Sequence, residues 1–387
     1  MKLNETKDNE QKKALNAWAD NNGIGSLIAG TGFGKSRCGV AAINYILRSN
    51  PSTKALVLVP TIQLQEQFED EFHKWGYSHC LDSVDIMCYQ SAYKLQGQHY
   101  SIVVCDEIHL GLSKEHRKFF SMNTYDNLLC MTATEPEELE YKHILRKLAP
   151  TIYNISLDEC VKLGLVSPYE INCIPIKLTD TEREEYKKIN KMFVYYKYEL
   201  GMFDAFDKAK EHLNNTHADP QDKANAANFF GTIRMRKKII DSAENKLERF
   251  KELVTDNTDS RIISFGGINA FTDKMCAAVD PLAVVYHSGK TVKQRKLALD
   301  AFKEGSINVL CSTKALNQGL DIPDANMGII CGITSKGLSM IQRVGRLVRF
   351  QEGKTGTIYI LYVEDSQEET WLKKAVKNLN NVNWLKA

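Results

Sequence analysis

The chain has 387 residues, 43% of them hydrophobic and 25% charged, with a formal net charge of +2. That length predicts two or three domains and more than one buried core, and the near-neutral balance excludes a uniformly basic, polyanion-coating surface while leaving local basic patches open. No apolar run reaches the roughly 18 residues of a membrane span, and the polar start MKLNETKDNEQKKALNAW has no apolar secretory core, so no membrane partner and a cytoplasmic setting are expected.

In chain order, GSLIAG (25–30), KALVLVP (54–60), DIMCY (85–89), SIVVCDE (101–107) and NLLCMTAT (127–134) read as strands. They are apolar throughout rather than alternating, the pattern of strands buried on both faces. KSRCGVAAINYILRS (35–49) and TIQLQEQFEDEFHKW (61–75) carry apolar residues at helical spacing between them. This β/α alternation predicts a parallel sheet covered by helices. YEINCIPIKL (169–178) reads as a strand, and residues 179–248 as a mostly helical insertion. Within it, Tyr186, Ile189, Phe193, Tyr196, Leu200 and Phe203 are expected on one helix face, HLNNTHADPQD (212–222) as a loop, and 224–244 as a second helix. The alternation then returns: helix at 245–254, strands RIISFGG (261–267), AVVYHSG (283–289), INVLCST (307–313), MGIICG (327–332) and TGTIYILYV (355–363), and a charged helical tail at 364–387. The ten cysteines include no CxxC pair and fall partly in strand-like runs, which predicts reduced, buried thiols.

Residues 29–36, AGTGFGKS, follow a strand and open a helix. That is the context of a phosphate-binding loop. Gly30, Gly32 and Gly34 free backbone N–H groups, with that of Thr31, to face phosphates; Lys35 reaches the β/γ-phosphates and Ser36 holds Mg²⁺. Kinases, switch GTPases, synthetases and nucleic-acid motors all use such a loop. In VVCDEIH (103–109) the strand ends in two carboxylates. Asp106 suits the metal-holding role, and Glu107 suits orientation and deprotonation of an attacking water, which favours hydrolysis. Gln342, Arg346 and Arg349 repeat at three to four residues and so share a helix face.

DEIH resembles the DEAD/DEAH-box signature of superfamily 2 helicases and translocases. Further motifs follow in order over almost the whole chain: PTIQLQEQ (60–67), TAT (132–134), SFGG (264–267), HSGKTVKQR (287–295), STKALNQGLDIPD (312–324) and QRVGRLVR (342–349). The likeness extends to compact phage and bacterial repair helicases and to XPB-like and RecG-like motor cores, with LDECVKLGLVSPYEI (157–171) as a similar linker. The resemblance implies an α/β fold of two tandem RecA-like doubly wound parallel-sheet domains, 1–156 and 249–387, with a linker and first strand at 157–178 and the helical insertion at 179–248. It implies ATP and Mg²⁺ as cofactors, with Gln11 reading adenine. Gly319 and Asp321 would sense cleft closure, and Gln342, Arg346 and Arg349 would complete the catalytic site across the cleft. His109 would couple ATP to Thr132 and Thr134, and Thr61 and Thr313 would hold phosphates of one nucleic-acid strand. Lys7 and Asp8 stand where relatives often carry an arginine, and Gln318 where many carry an acid or arginine.

The expected function is an ATP-dependent motor that unwinds or remodels branched nucleic acid in a bacterial or phage-infected cytoplasm, with DNA favoured over RNA and one chain sufficient for the ATP site. A double-strand translocase, an RNA helicase and a regulatory nucleotide-binding module remain the alternatives. In the insertion, lysines interleave with aromatics and RMRKK spans 234–238. Base stacking, a strand-splitting wedge, or plain packing on the second domain all fit that composition.

Overall fold

The apolar runs become strands whose alternate residues serve two cores. The computed structural model describes residues 2–30, 32–50, 52–313, 325–334, 355–377 and 379–386. In the first domain, helices α1 (Lys2–Asp20), α2 (Lys35–Ser49), α3 (Ile62–Lys74), α4 (Tyr89–Ala92), α5 (Lys118–Met122) and α6 (Leu139–Leu148) surround six strands. These are β1 (Ile24–Ala29), β2 (Ala55–Val59), β3 (Val84–Cys88), β4 (His99–Cys105), β5 (Thr124–Thr132) and β6 (Thr151–Ile155), all parallel in the order β3-β2-β4-β5-β1-β6. Val57, Val104 and Met131 pack with α2 and α3 through Val40, Ile43, Phe68 and Phe72, while Leu58, Val103 and Cys130 join Tyr89, Phe119 and Leu145 on the other face. This two-faced burial explains why the strands do not alternate.

A short helix α7 (Leu157–Lys162), opened by a Ser156–Glu159 capping box, leads into the second sheet. Its strands are β7 (Tyr169–Ile176), β8 (Ile262–Phe265), β9 (Ala283–Tyr286), β10 (Val309–Ser312), β11 (Met327–Ile330), β12 (Gly356–Val363) and β13 (Val382–Trp384). They too are parallel, ordered β13-β7-β12-β11-β8-β10-β9. Among the described residues four helices accompany them: α11 (Glu244–Thr255), α12 (Asn269–Ala278), α13 (Val292–Glu304) and α14 (Gln367–Val376). One apolar cluster runs from the α1/α2 side of the first sheet through Leu157, Leu165, Val166 and Tyr169 to Ile263, Ile330 and Ile360 of the second. The two expected parallel-sheet α/β domains are thus both present.

The insertion consists of α8 (Asp180–Glu199), α9 (Ala205–Asn214) and α10 (Pro220–Asp241). Its aromatic face packs mainly within the module: Phe193 stacks on Phe229 at 5.4 Å, and Leu200, Ala209 and Ala226 fill the same small core. Phe203 departs from the expected helix face and is 97% exposed. Positive φ at Gly201 (90°) and Met202 (56°) turns the chain after α8, so helical periodicity ends before it. The expected loop at 212–222 shrinks to the link between α9 and α10, because Asp219 caps α10 and Pro220 begins it. The tail is helical only in α14 and then forms β13, which adds to the sheet beside β7. Strand β6 has no counterpart among the expected strands.

A fully buried ion pair pins the insertion's root. Lys246 Nζ donates to Glu368 Oε1 and Oε2 at 2.9 and 2.7 Å and to the carbonyls of Ile240 (3.1 Å) and Cys331 (2.9 Å). Glu368 Oε2 also accepts from Val363 N at 3.0 Å. Burial nevertheless holds the Glu368 carboxyl above the usual carboxylate range. All ten cysteines are free thiols, nine of them buried.

Candidate active site

Every parallel strand of the first sheet ends on the same edge, and the chemistry gathers there. The loop after β1 turns through Gly32 and Gly34, each at φ 90°. At Gly34 a Cβ would lie 2.4 Å from Gln11 Nε2, so only glycine fits both the dihedral and the space. Helix α2 starts at Lys35, directing its first N–H groups and positive dipole end at the loop. Lys35 Nζ donates to Ala29 O at 2.8 Å, and Ser36 lies on the same first turn.

Gln11 reaches this loop from α1. Its Nε2 donates to Phe33 O at 2.7 Å, and its Oε1 accepts from Arg37 Nη1 at 2.9 Å. Arg37 also pairs with Asp8 and lies 4.0 Å above the Trp75 ring. Gln11, 4% exposed, thus braces the loop with both ends of its amide. Lys7 packs against the same loop, and burial, followed by the nearby Lys74 and Arg37 charges, holds its ammonium below the usual lysine range. Arg37 and Trp75 were not legible as site residues: a salt bridge across helices and a stacked indole leave no motif.

Asp106 follows β4. Its N–H donates to Leu58 O and its carbonyl accepts from Tyr89 Oη, both at 2.8 Å, which fixes the strand tip. Burial and the adjacent Glu107 charge push the Asp106 carboxyl up to about 7, with Lys35, the Glu107 backbone N–H and His109 pulling the other way. Glu107 itself sits at φ 47°, a left-handed conformation that turns it out of the strand direction. His109 Nδ1 lies 3.3 Å from Glu107 Oε2 and 3.4 Å from Thr132 Oγ1. The Thr132 hydroxyl gives its proton to Thr134 O at 3.1 Å, so toward His109 it can only accept. His109 Nδ1 thus stands between the Glu107 carboxylate and the Thr132 hydroxyl, and these contacts tie the tip of β4 to the tip of β5.

Ser36 and Asp106 offer the oxygen donors that suit Mg²⁺, and Asp106 is the carboxylate whose buried charge a dication would offset. No group of three His, Cys, Asp or Glu side chains could hold a metal among the described residues, so an ion here would share its shell with phosphate oxygens and water.

Thr61 follows β2 and caps α3, its hydroxyl accepting from Leu64 N at 3.4 Å. Thr313 follows β10 and donates to Asn269 Oδ1 at 3.1 Å, at the start of α12. Nearby His287 accepts from Gly289 N at 3.1 Å through Nδ1 and contacts Asp273 Oδ1 at 3.1 Å through Nε2. The loops after β8, β9 and β10 therefore meet at the carboxyl edge of the second sheet. Thr31, Gly319, Asp321, Gln342, Arg346 and Arg349 lie outside the described residues.

Residues 5–137 match the family described as the type III restriction enzyme res subunit, and residues 245–351 match the helicase conserved C-terminal domain. The chain is 22% identical to the DNA 3'-5' translocase XPB2 of Sulfurisphaera tokodaii, over 91% of this chain and 80% of that protein. It is 30% identical to the pre-mRNA-splicing ATP-dependent RNA helicase PRP28 of Cryptococcus neoformans, over 37% of this chain and only 20% of that protein. Among solved structures, S. cerevisiae Dbp5 bound to RNA and ADP BeF3 shares the fold with a TM-score of 0.62 at 16% identity, covering 97% of this chain and 89% of that one.

Proposed function

Because this chain belongs to the superfamily 2 helicases and translocases, we propose that it hydrolyses ATP with Mg²⁺ to move on and remodel nucleic acid, DNA in preference to RNA. The observation that carries this reading is the Glu107–His109–Thr132 chain of contacts. A nucleotide switch needs no second carboxylate beside the metal-holding one, and no imidazole linking it to the neighbouring strand. Here Glu107 is the proposed base for the attacking water, and His109 would relay its position to Thr132. Lys35 and the N-terminus of α2 would bind the phosphates. Mg²⁺ held by Ser36 and Asp106 would neutralise developing phosphate charge. Gln342, Arg346 and Arg349 are the proposed trans-cleft partners, Gly319 and Asp321 the proposed closure sensors, and Thr61 and Thr313 the proposed phosphate contacts.

The extended likeness to a DNA translocase favours DNA and supports a second reading, movement on duplex without strand separation. Steady-state ATP hydrolysis, measured alone and with single-stranded, duplex and forked DNA and with RNA, tests the first reading. Strong stimulation by one polymer is expected. A rate indifferent to every polymer refutes the motor. Release of a labelled strand from a fork separates unwinding from displacement of a third strand off a duplex.

A further inference from the structure

At the root of the insertion, α10 and α14 border a cavity of about 290 Å³. That is room enough for one small planar group. Phe206, Phe229 and Trp371 supply aromatic walls, and Arg236, Asp241 and Gln367 supply polar ones.

One buried atom in each of two of those side chains has no hydrogen-bond partner among the described residues. Asp241 is 0% exposed. Lys237 Nζ donates to its Oδ1 at 2.9 Å and stands 2.7 Å from Oδ2, yet Oδ2 accepts no hydrogen bond in good geometry. The Arg236 guanidinium lies 4.2 Å over the Phe193 ring and donates through Nη2 to Tyr186 Oη at 3.2 Å. Its buried Nε–H has no acceptor among the described residues. Native proteins rarely leave such groups unmet, and doing so costs folding free energy. Here an unmet donor, Arg236 Nε, and an acceptor satisfied only through its ion pair with Lys237, Asp241 Oδ2, belong to side chains lining the same aromatic cavity. A nucleobase presents the complement: a π-face, with a donor beside an acceptor on its edge. The exposed Arg234 and Lys238, on the same helix, add positive charge for the adjoining phosphates.

We propose that this cavity receives one unpaired nucleobase of the bound strand, its ring on the aromatic wall and its edge toward the exposed Gln367 amide on the polar side of the cavity. The proposal rests on the nucleic-acid reading above but concerns a contact outside the ATP cleft. It joins two sequence features that the ATP site does not use, the aromatic run of α8 and the basic run of α10.

The test compares binding of the full chain to a labelled single-stranded oligonucleotide and to one of equal length in which the sugars carry no bases. Both present the same phosphates. Stacking of one base predicts that the intact strand binds roughly 5- to 150-fold tighter. Phe206→Ala and Gln367→Ala, at an exposed ring and an exposed amide, should shrink that ratio while leaving the affinity for the base-free strand and the melting profile unchanged. An intact-to-abasic ratio near one in the wild type, or a ratio preserved in both variants, overturns the pocket. If the same oligonucleotide still stimulates ATP hydrolysis in that case, the motor reading survives. A chain that binds neither strand and gains no turnover refutes the motor reading and the pocket together.

Discussion

Asp106→Asn should make the protein more stable and inactive at once. The Asp106 carboxyl is 8% exposed and is pushed up to about 7 by burial and by Glu107. In the unfolded chain the same group ionises near pH 3.9. With the folded value above the unfolded one, the contribution favouring the fold is complete below about pH 4 and is lost as pH rises to about 7. Above that the native state carries a buried charge that the unfolded chain carries in water. A gap of about three pH units corresponds to roughly 2–4 kcal/mol, the lower end allowing for relaxation around the charge. Asparagine keeps the shape and removes the charge. Without nucleotide, in a metal chelator, the variant should unfold roughly 4–16 °C higher than wild type at pH 8. That gain should shrink by about 1.4 kcal/mol per pH unit below 7 and vanish near pH 4. Calorimetric melts across that range measure it. A variant no more stable than wild type at pH 8, or a gain indifferent to pH, refutes the account of Asp106 as a strained, preorganised metal ligand.

Glu107→Gln should lower ATP turnover by about 10²–10⁴-fold while nucleotide binding, followed by a fluorescent analogue, changes little; comparable turnover would remove Glu107 from the base role. His109→Ala should cut polymer-stimulated hydrolysis more than the unstimulated rate, since it breaks the 3.3 and 3.4 Å contacts joining Glu107 to Thr132; equal losses in both rates would argue for a local effect only. Lys246→Met should cost about 3–5 kcal/mol in urea unfolding by leaving Glu368 as an unpaired buried charge, and adding Glu368→Leu should recover most of it. Additive losses in that double variant would mean the pair is not energetically coupled.

The two sheets were legible because strands buried on both faces write uninterrupted apolar runs, as KALVLVP and SIVVCDE do. The phosphate loop and the acidic pair were legible because each is contiguous and local. TIYNI (β6) escaped notice: only Ile155 is fully buried, so the run carries too few apolar residues to read as a strand. Phe203 misled because helical spacing persists on paper past the Gly201 turn that ends the helix. Arg37, Trp75 and Tyr89 were invisible as site residues, since what matters is an ion pair, a stacked indole and a phenol donating to Asp106 O. The cavity at the insertion root likewise unites residues 193–241 with 367–371, which no spacing rule connects.

The order of strands also sets a timetable for synthesis. All six strands of the first sheet lie between Ile24 and Ile155, so that domain has every partner early. Strand β7 does not. Its neighbours are β12 and β13, and Glu170 meets Thr357 across 187 residues. At a ribosomal pace of 5–20 residues per second, β7 waits roughly 10–40 s for its first lateral partner. Over that interval the nearest apolar surface is the finished first domain, whose core already continues into Tyr169, Ile171 and Cys173. The earlier domain can thus act as a cradle for the nascent strand, and the long-range closure that follows is the slow step that topology assigns to this chain.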